Sequence, residues 1–66
     1  MPWTVRFKLK NGSTVTGEYN LDNPGKALLK MLQEHSGLST GLVETIKIDN
    51  SQYDMFNLDD IKEKLA

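Results

Sequence analysis

The sequence predicts an α+β fold in the order ββαββα: a small antiparallel sheet, strand order 2-1-3-4, with two helices packed on one face. Three observations carry that expectation. The first residues alternate between apolar and polar side chains on either side of a glycine turn. An Asn23-Pro24 pair then opens a segment of helical periodicity. The chain closes on a short amphipathic run, acidic at its start and basic at its end. At 66 residues there is room for a single small domain, 1–66.

Trp3, Val5, Phe7 and Leu9 point to one side of the first segment, and Thr4, Arg6, Lys8 and Lys10 to the other. Period two with β-branched and aromatic residues marks a half-buried strand. In the second run Val15, Gly17 and Tyr19 oppose Thr14, Thr16 and Glu18. Asn11-Gly12 between them signals a hairpin. A two-residue loop would put Phe7 and Leu9 on the face of Thr14 and Thr16. A three-residue loop, Lys10-Asn11-Gly12, pairs Phe7 with Val15, Val5 with Gly17 and Trp3 with Tyr19, which collects the apolar side chains on one face. A slip of one residue reverses every side chain, so the three-residue loop is expected. Gly12 then takes the left-handed position of a G1 bulge. Gly17 leaves a gap opposite Val5 that a diagonal aromatic would cover.

Proline suits the first helical turn and drives the residue before it to extended geometry, as an N-cap requires, so a helix starts at Asn23-Pro24. Gly37 is expected to end it as a left-handed C-cap, with Leu38 folded back near Leu32. Ala27, Leu28, Leu29, Met31 and Leu32 span more than half of the helix circumference, which predicts burial against two neighbours. After a loop at Ser39-Thr40-Gly41, Leu42 to Asp49 reads as a strand with Ile46 and Ile48 inward. A turn at Asn50-Ser51 would pair Ile48 with Tyr53, Ile46 with Met55 and Lys47 with Asp54. A loop over the core is the alternative for residues 52–56.

Asn57 is expected to cap the last helix, with Asp60 completing an approximate capping box and Phe56 stapled onto Ile61. Asp59 and Asp60 complement the positive end of the helix dipole, and Lys62 and Lys64 the negative end. Leu58, Ile61 and Leu65 make a narrow apolar stripe that is expected to cover one flank of the first helix. The opening of the chain, a G1-bulge hairpin followed by a capped helix, resembles in shape the start of a ubiquitin-like β-grasp domain over about the first half. That fold needs a final central strand where this chain ends in a helix, so no family membership follows.

Composition excludes several classes of function. Charged residues make up 26 % of the chain, hydrophobic ones 38 %, and the formal net charge is −1. That is a globular mixture without a global field toward nucleic acid or an acidic membrane. There is no cysteine, no apolar run long enough to span a bilayer, and no signal-peptide pattern after Met1. Small domains in oxidising compartments often carry disulfides, so a cytoplasmic location is expected. A chain this short buries a modest share of its surface, which makes self-association a reasonable expectation.

No motif specifies an activity. The serines Ser13, Ser36, Ser39 and Ser51 fall at turns or helix ends, and a serine nucleophile needs an oriented base beside it. The single histidine, His35, lies near a helix end within the apolar stripe and is expected to be satisfied locally. Asp49, Asp54, Asp59 and Asp60 lack calcium-loop spacing, and one histidine without cysteine is a poor start for zinc. Gly25, in the first helical turn, is a weak phosphate signal beside the negative Asp22. Neither a catalytic residue, a cofactor nor a metal is expected.

Two surface features remain. Arg6, Lys8 and Lys10 project from one side of the first strand, where they would meet phosphates or an acidic protein surface. An aromatic platform for single-stranded nucleic acid is missing from that side, because Trp3, Phe7 and Tyr19 point into the core. Trp3, near the start of the chain, would form an aromatic patch with Tyr19 if left uncovered. The expected function is therefore that of a small non-enzymatic protein-interaction or accessory domain, with Arg6, Lys8, Lys10 and Trp3 as candidate surface. Its partner would be another protein or a second copy in a homodimer. Weak nucleic-acid binding through the basic strand face is the alternative; no membrane or small-molecule substrate is indicated.

Overall fold

In the computed structural model, which describes residues 2–38 and 40–65, the alternating N-terminal run forms β1 (Trp3–Leu9) and its partner β2 (Thr14–Tyr19). Trp3 pairs with Tyr19, Val5 with Gly17 and Phe7 with Val15, the register of the three-residue loop. Gly12 has φ 91°, a left-handed conformation that only glycine adopts cheaply. The Leu9 and Ser13 backbones close the turn at 2.8 Å, and Gly12 N–H donates to the Leu9 carbonyl at 3.0 Å. The gap at Gly17 is filled from its own strand rather than diagonally. A Cβ there would come within 2.5 Å of the Tyr19 hydroxyl, because the Tyr19 ring lies back across it.

α1 (Pro24–Glu34) begins as expected: Asn23 is extended, and its Oδ1 accepts the Lys26 N–H at 2.8 Å. Its end differs. The cap is His35, whose N–H donates to the Met31 carbonyl at 3.1 Å, and Gly37 is not left-handed. The helix therefore stops before the glycine, and a turn closed by Leu38 N–H on the His35 carbonyl follows. Gly25, Ala27, Leu28 and Met31 are buried, while Leu29 faces solvent. The apolar stripe is thus narrower than the spacing suggests, yet α1 still packs against both the sheet and the second helix.

Ser39 lies outside the described residues. Thr40–Leu42 make a 3-10 turn, so β3 (Val43–Ile48) starts one residue later than expected. Leu9 pairs with Val43 and Lys8 with Thr45, which leaves Glu44 as a bulge. The bulge restores Val43 to the inner face, where strict alternation would have turned it outward. β4 (Ser51–Asp54) completes an antiparallel sheet in order β2-β1-β3-β4, as predicted.

The β3–β4 register is offset by two residues from the expected one. Ile48 pairs with Ser51, Ile46 with Tyr53, Lys47 with Gln52 and Thr45 with Asp54. The turn is Asp49-Asn50 rather than Asn50-Ser51, and Asp49 takes φ 52°. Because its backbone is turned, Asp49 meets β1 with its side chain: Oδ1 accepts the Thr4 N–H at 3.0 Å, while Asp49 N–H donates to the Thr4 carbonyl at 2.9 Å.

The earlier turn displaces everything after it. Met55–Asn57 form a 3-10 turn before α2 (Leu58–Leu65). The cap is Asp54, whose Oδ1 accepts the Phe56 N–H at 2.9 Å, and not Asn57. Phe56 is 93 % exposed, so the staple onto Ile61 is not made. Met55 and Ile61 are buried, and α2 lies against α1 as expected. Val5, Phe7, Ile46 and Ile48 from the sheet, Ala27, Leu28 and Met31 from α1, and Ile61 from α2 share one core on one side of the sheet.

Candidate functional site

No polar or charged side chain is buried among the described residues, so any chemistry is confined to the surface. His35 is half-buried, and its Nδ1 lies 3.0 Å from the Met31 carbonyl of its own helix. Among the described residues, no three His, Cys, Asp or Glu side chains converge on a point that a metal ion would occupy. Asp22 reaches Lys26 Nζ at 3.1 Å across the start of α1.

The structure separates the sequence-predicted surface residues into three places. Arg6 and Lys8 are exposed on the open face of β1, ringed by Thr14, Thr16 and Thr45 across the strands. Lys47 joins them, since it lies directly opposite Arg6. Lys10 is past the end of β1; its N–H donates to the Leu42 carbonyl at 2.9 Å, and it borders a different surface. Trp3 points to the core side, half-buried beside Tyr19, and its indole N–H donates to the Leu21 carbonyl at 3.1 Å.

Tyr19 is the one titratable group whose environment departs clearly from water. Burial and then the nearby Glu34 carboxylate push its hydroxyl up to about 12. The hydroxyl donates to Met31 Sδ at 3.1 Å, and Glu34 adds to the shift first as a hydrogen-bond partner of the neutral phenol and then through its charge. The proton is held to keep the ring over Gly17, a structural role.

A surface that the sequence did not single out lies at the opposite end of the sheet from Trp3. Val43, Met55 and Leu58 form the floor of a groove of about 390 Å³, bordered by Lys10, Gly41, Glu44, Asp54 and Phe56. Val43 arrives there through the Glu44 bulge, Met55 and Phe56 through the turn that Asp54 caps. Phe56 stands at the rim with 93 % of its surface in water. Leu42, 53 % exposed, adjoins Val43 in the 3-10 turn. The surface thus combines an exposed aromatic, an apolar floor and a charged rim.

The sequence signal for this surface was present but assigned elsewhere. Phe56 precedes a polar, helix-opening stretch, which suits a staple as well as it suits an exposed anchor. Only the position of the preceding hairpin decides between the two. No helix among the described residues is long and apolar enough to cross a membrane. Comparison with known protein families, curated proteins and solved structures finds no match to the chain.

Proposed function

We propose that the chain is a small, non-enzymatic protein-interaction domain that binds through the groove under Phe56. The observation that carries this is the exposure of Phe56 at 93 % beside an apolar floor. A phenylalanine side chain in water forgoes roughly 1.5–3 kcal/mol of burial that a partner would recover. His35 is bonded to its own helix, and among the described residues no polar side chain is buried, so the reading rests on the surface. The cysteine-free composition favours a reducing, cytoplasmic setting.

Photo-crosslinking in the producing cell tests the proposal. With p-benzoylphenylalanine at position 56, protein adducts should form well above those from the same probe at Gln33, an exposed position on α1. Equal yields at the two positions would overturn it.

One observation favours nucleic-acid binding as a second reading. Arg6 and Lys47 are like charges directly opposite each other, with Lys8 beside them, and no ion pair holds any of the three among the described residues. Such a pair costs sheet stability, and a phosphate backbone would relieve it. Lys47→Glu should stabilise the fold by roughly 0.2–1 kcal/mol. On this reading it would also abolish oligonucleotide binding at low salt; wild-type protein that binds neither DNA nor RNA at low salt removes the reading.

A further inference from the structure

We infer that the occupant of the Phe56 groove is a second copy of this chain, docked about a two-fold axis so that each Phe56 covers the partner's apolar floor. This rests on the interaction reading above and adds the identity of the partner.

The first support is the closeness of knob and hole. Phe56 projects from the rim of the same groove whose floor is Val43, Met55 and Leu58. Under a two-fold axis through the rim, one patch meets itself, and each ring passes to the other copy's floor.

The second support is charge. Lys10 borders the groove on the β1 side and Asp54 on the β4 side, with β3 between them. Two strand spacings put them about 10 Å apart or more across the sheet. The rim is thus positive at the Lys10 end and negative at the Asp54 end, with the Glu44 carboxylate on β3 between them. A two-fold axis reverses the ends, so each Lys10 meets an Asp54, and both contacts are attractive. An acidic or basic partner would meet one end favourably and the other unfavourably. Asp54 Oδ1 is engaged by the Phe56 N–H, which leaves Oδ2 for the incoming ammonium.

The third support is size. At 66 residues the domain has a small core, and covering Phe56, Leu42 and the half-buried Leu58 from outside extends it.

Sedimentation equilibrium over a concentration series up to roughly 1 mM, the range in which small interfaces associate, reads the dimer directly. Wild-type protein should move from monomer to dimer. Phe56→Ser, at an exposed position, should fold normally by circular dichroism and raise the dimer Kd by about 30-fold, as loss of an interface anchor does. Lys10→Glu and Asp54→Lys should each weaken self-association, since each places like charges at both contacts. An equimolar mixture of those two variants should restore dimer, as a heterodimer with attractive pairs at both ends. That rescue also shows that Asp54→Lys has not merely unfolded the capped turn. A wild-type chain that stays monomeric throughout overturns the inference, as does a mixture that fails to rescue. Monomeric protein that still gives adducts at position 56 refutes the second copy and leaves the interaction reading standing; monomer without adducts refutes both.

Discussion

The β1–β2 hairpin turns through three residues with glycine at its left-handed corner; the β3–β4 hairpin turns through two, with an aspartate there. In the first, Gly12 supplies the backbone and its neighbour the polar contact, since Asn11 Oδ1 accepts the Ser13 N–H at 2.9 Å. In the second, Asp49 does both. It adopts φ 52° and lends its carboxylate to the Thr4 N–H on a strand outside its own hairpin. The first turn is therefore local, whereas the second fastens β3–β4 to β1. The two hairpins do not stand alone: Phe7 pairs with Val15 on one side and with Ile46 on the other.

That shared residue gives the largest expected effect. Phe7 is fully buried, and Phe7→Ala should cost about 3–5 kcal/mol, a large part of the stability of a domain this small. Urea unfolding followed by circular dichroism measures it. A cost below about 1 kcal/mol would mean that the hairpins do not share one core.

The difference between the turns predicts an ordering. Asp49→Ala loses an acceptor and leaves alanine in the left-handed region, for about 1–2 kcal/mol. Gly12→Ala meets no steric obstacle, since nothing lies within 4 Å of a Cβ there, so only backbone strain remains, about 1 kcal/mol. Asp49→Asn keeps both the oxygen and the tolerance of positive φ and should be nearly neutral. If Asp49→Asn and Asp49→Ala unfold at the same urea concentration, the side-chain bond to Thr4 contributes nothing.

The same contrast explains how much of this fold can be read from residues alone. Period-two patterning decides which face a side chain takes, so it separates registers that differ by one residue. It cannot separate registers that differ by two, because both keep the same faces. In β1–β2 the competing loops differed by one residue, and Phe7, Val15 and Tyr19 chose between them. In β3–β4 they differed by two: Ile46 faces inward whether it meets Tyr53 or Met55. Asp49, which tolerates left-handed geometry, held the missing information. The consequence reached the candidate site. Placing the turn one residue earlier puts a 3-10 turn capped by Asp54 ahead of α2, and Phe56 stands in solvent instead of stapling onto Ile61. The Glu44 bulge, which brings Val43 to the groove floor, shows in β3 only as a break in the alternation, an apolar Val43 and a charged Glu44 out of phase with Ile46 and Ile48.

Tyr19 offers a test at the edge of the first hairpin. Its hydroxyl titrates at about 12 in the folded state, above the ordinary 10.0. The folded chain thus holds this proton more tightly than the unfolded one. The associated stability is complete below pH 10 and declines as the pH rises through the interval to 12. Ultraviolet absorbance of phenolate should show a late step near pH 12 that vanishes in Tyr19→Phe, and the variant should lose less stability across that interval. A tyrosine profile in which Tyr19→Phe removes only an early step would place the ring in water rather than over Gly17.

The smallest effect is expected where the hairpin difference ends, at Phe56. If the tight Asp49-Asn50 turn and the Asp54 cap place this ring in solvent, Phe56→Ser should change monomer stability by no more than about 0.5 kcal/mol, as surface substitutions do. If the ring instead stapled onto Ile61, the same change would remove a buried aromatic contact and cost several times as much. Urea unfolding at low protein concentration, where association does not contribute, separates the two outcomes. A large loss would return the cap to Asn57, move the second turn to Asn50-Ser51, and remove the groove's anchor together with the interface argued from it. A negligible loss shows that Phe56 does nothing for the fold and keeps it at the rim of the groove, where crosslinking at position 56 and sedimentation decide whether anything covers it.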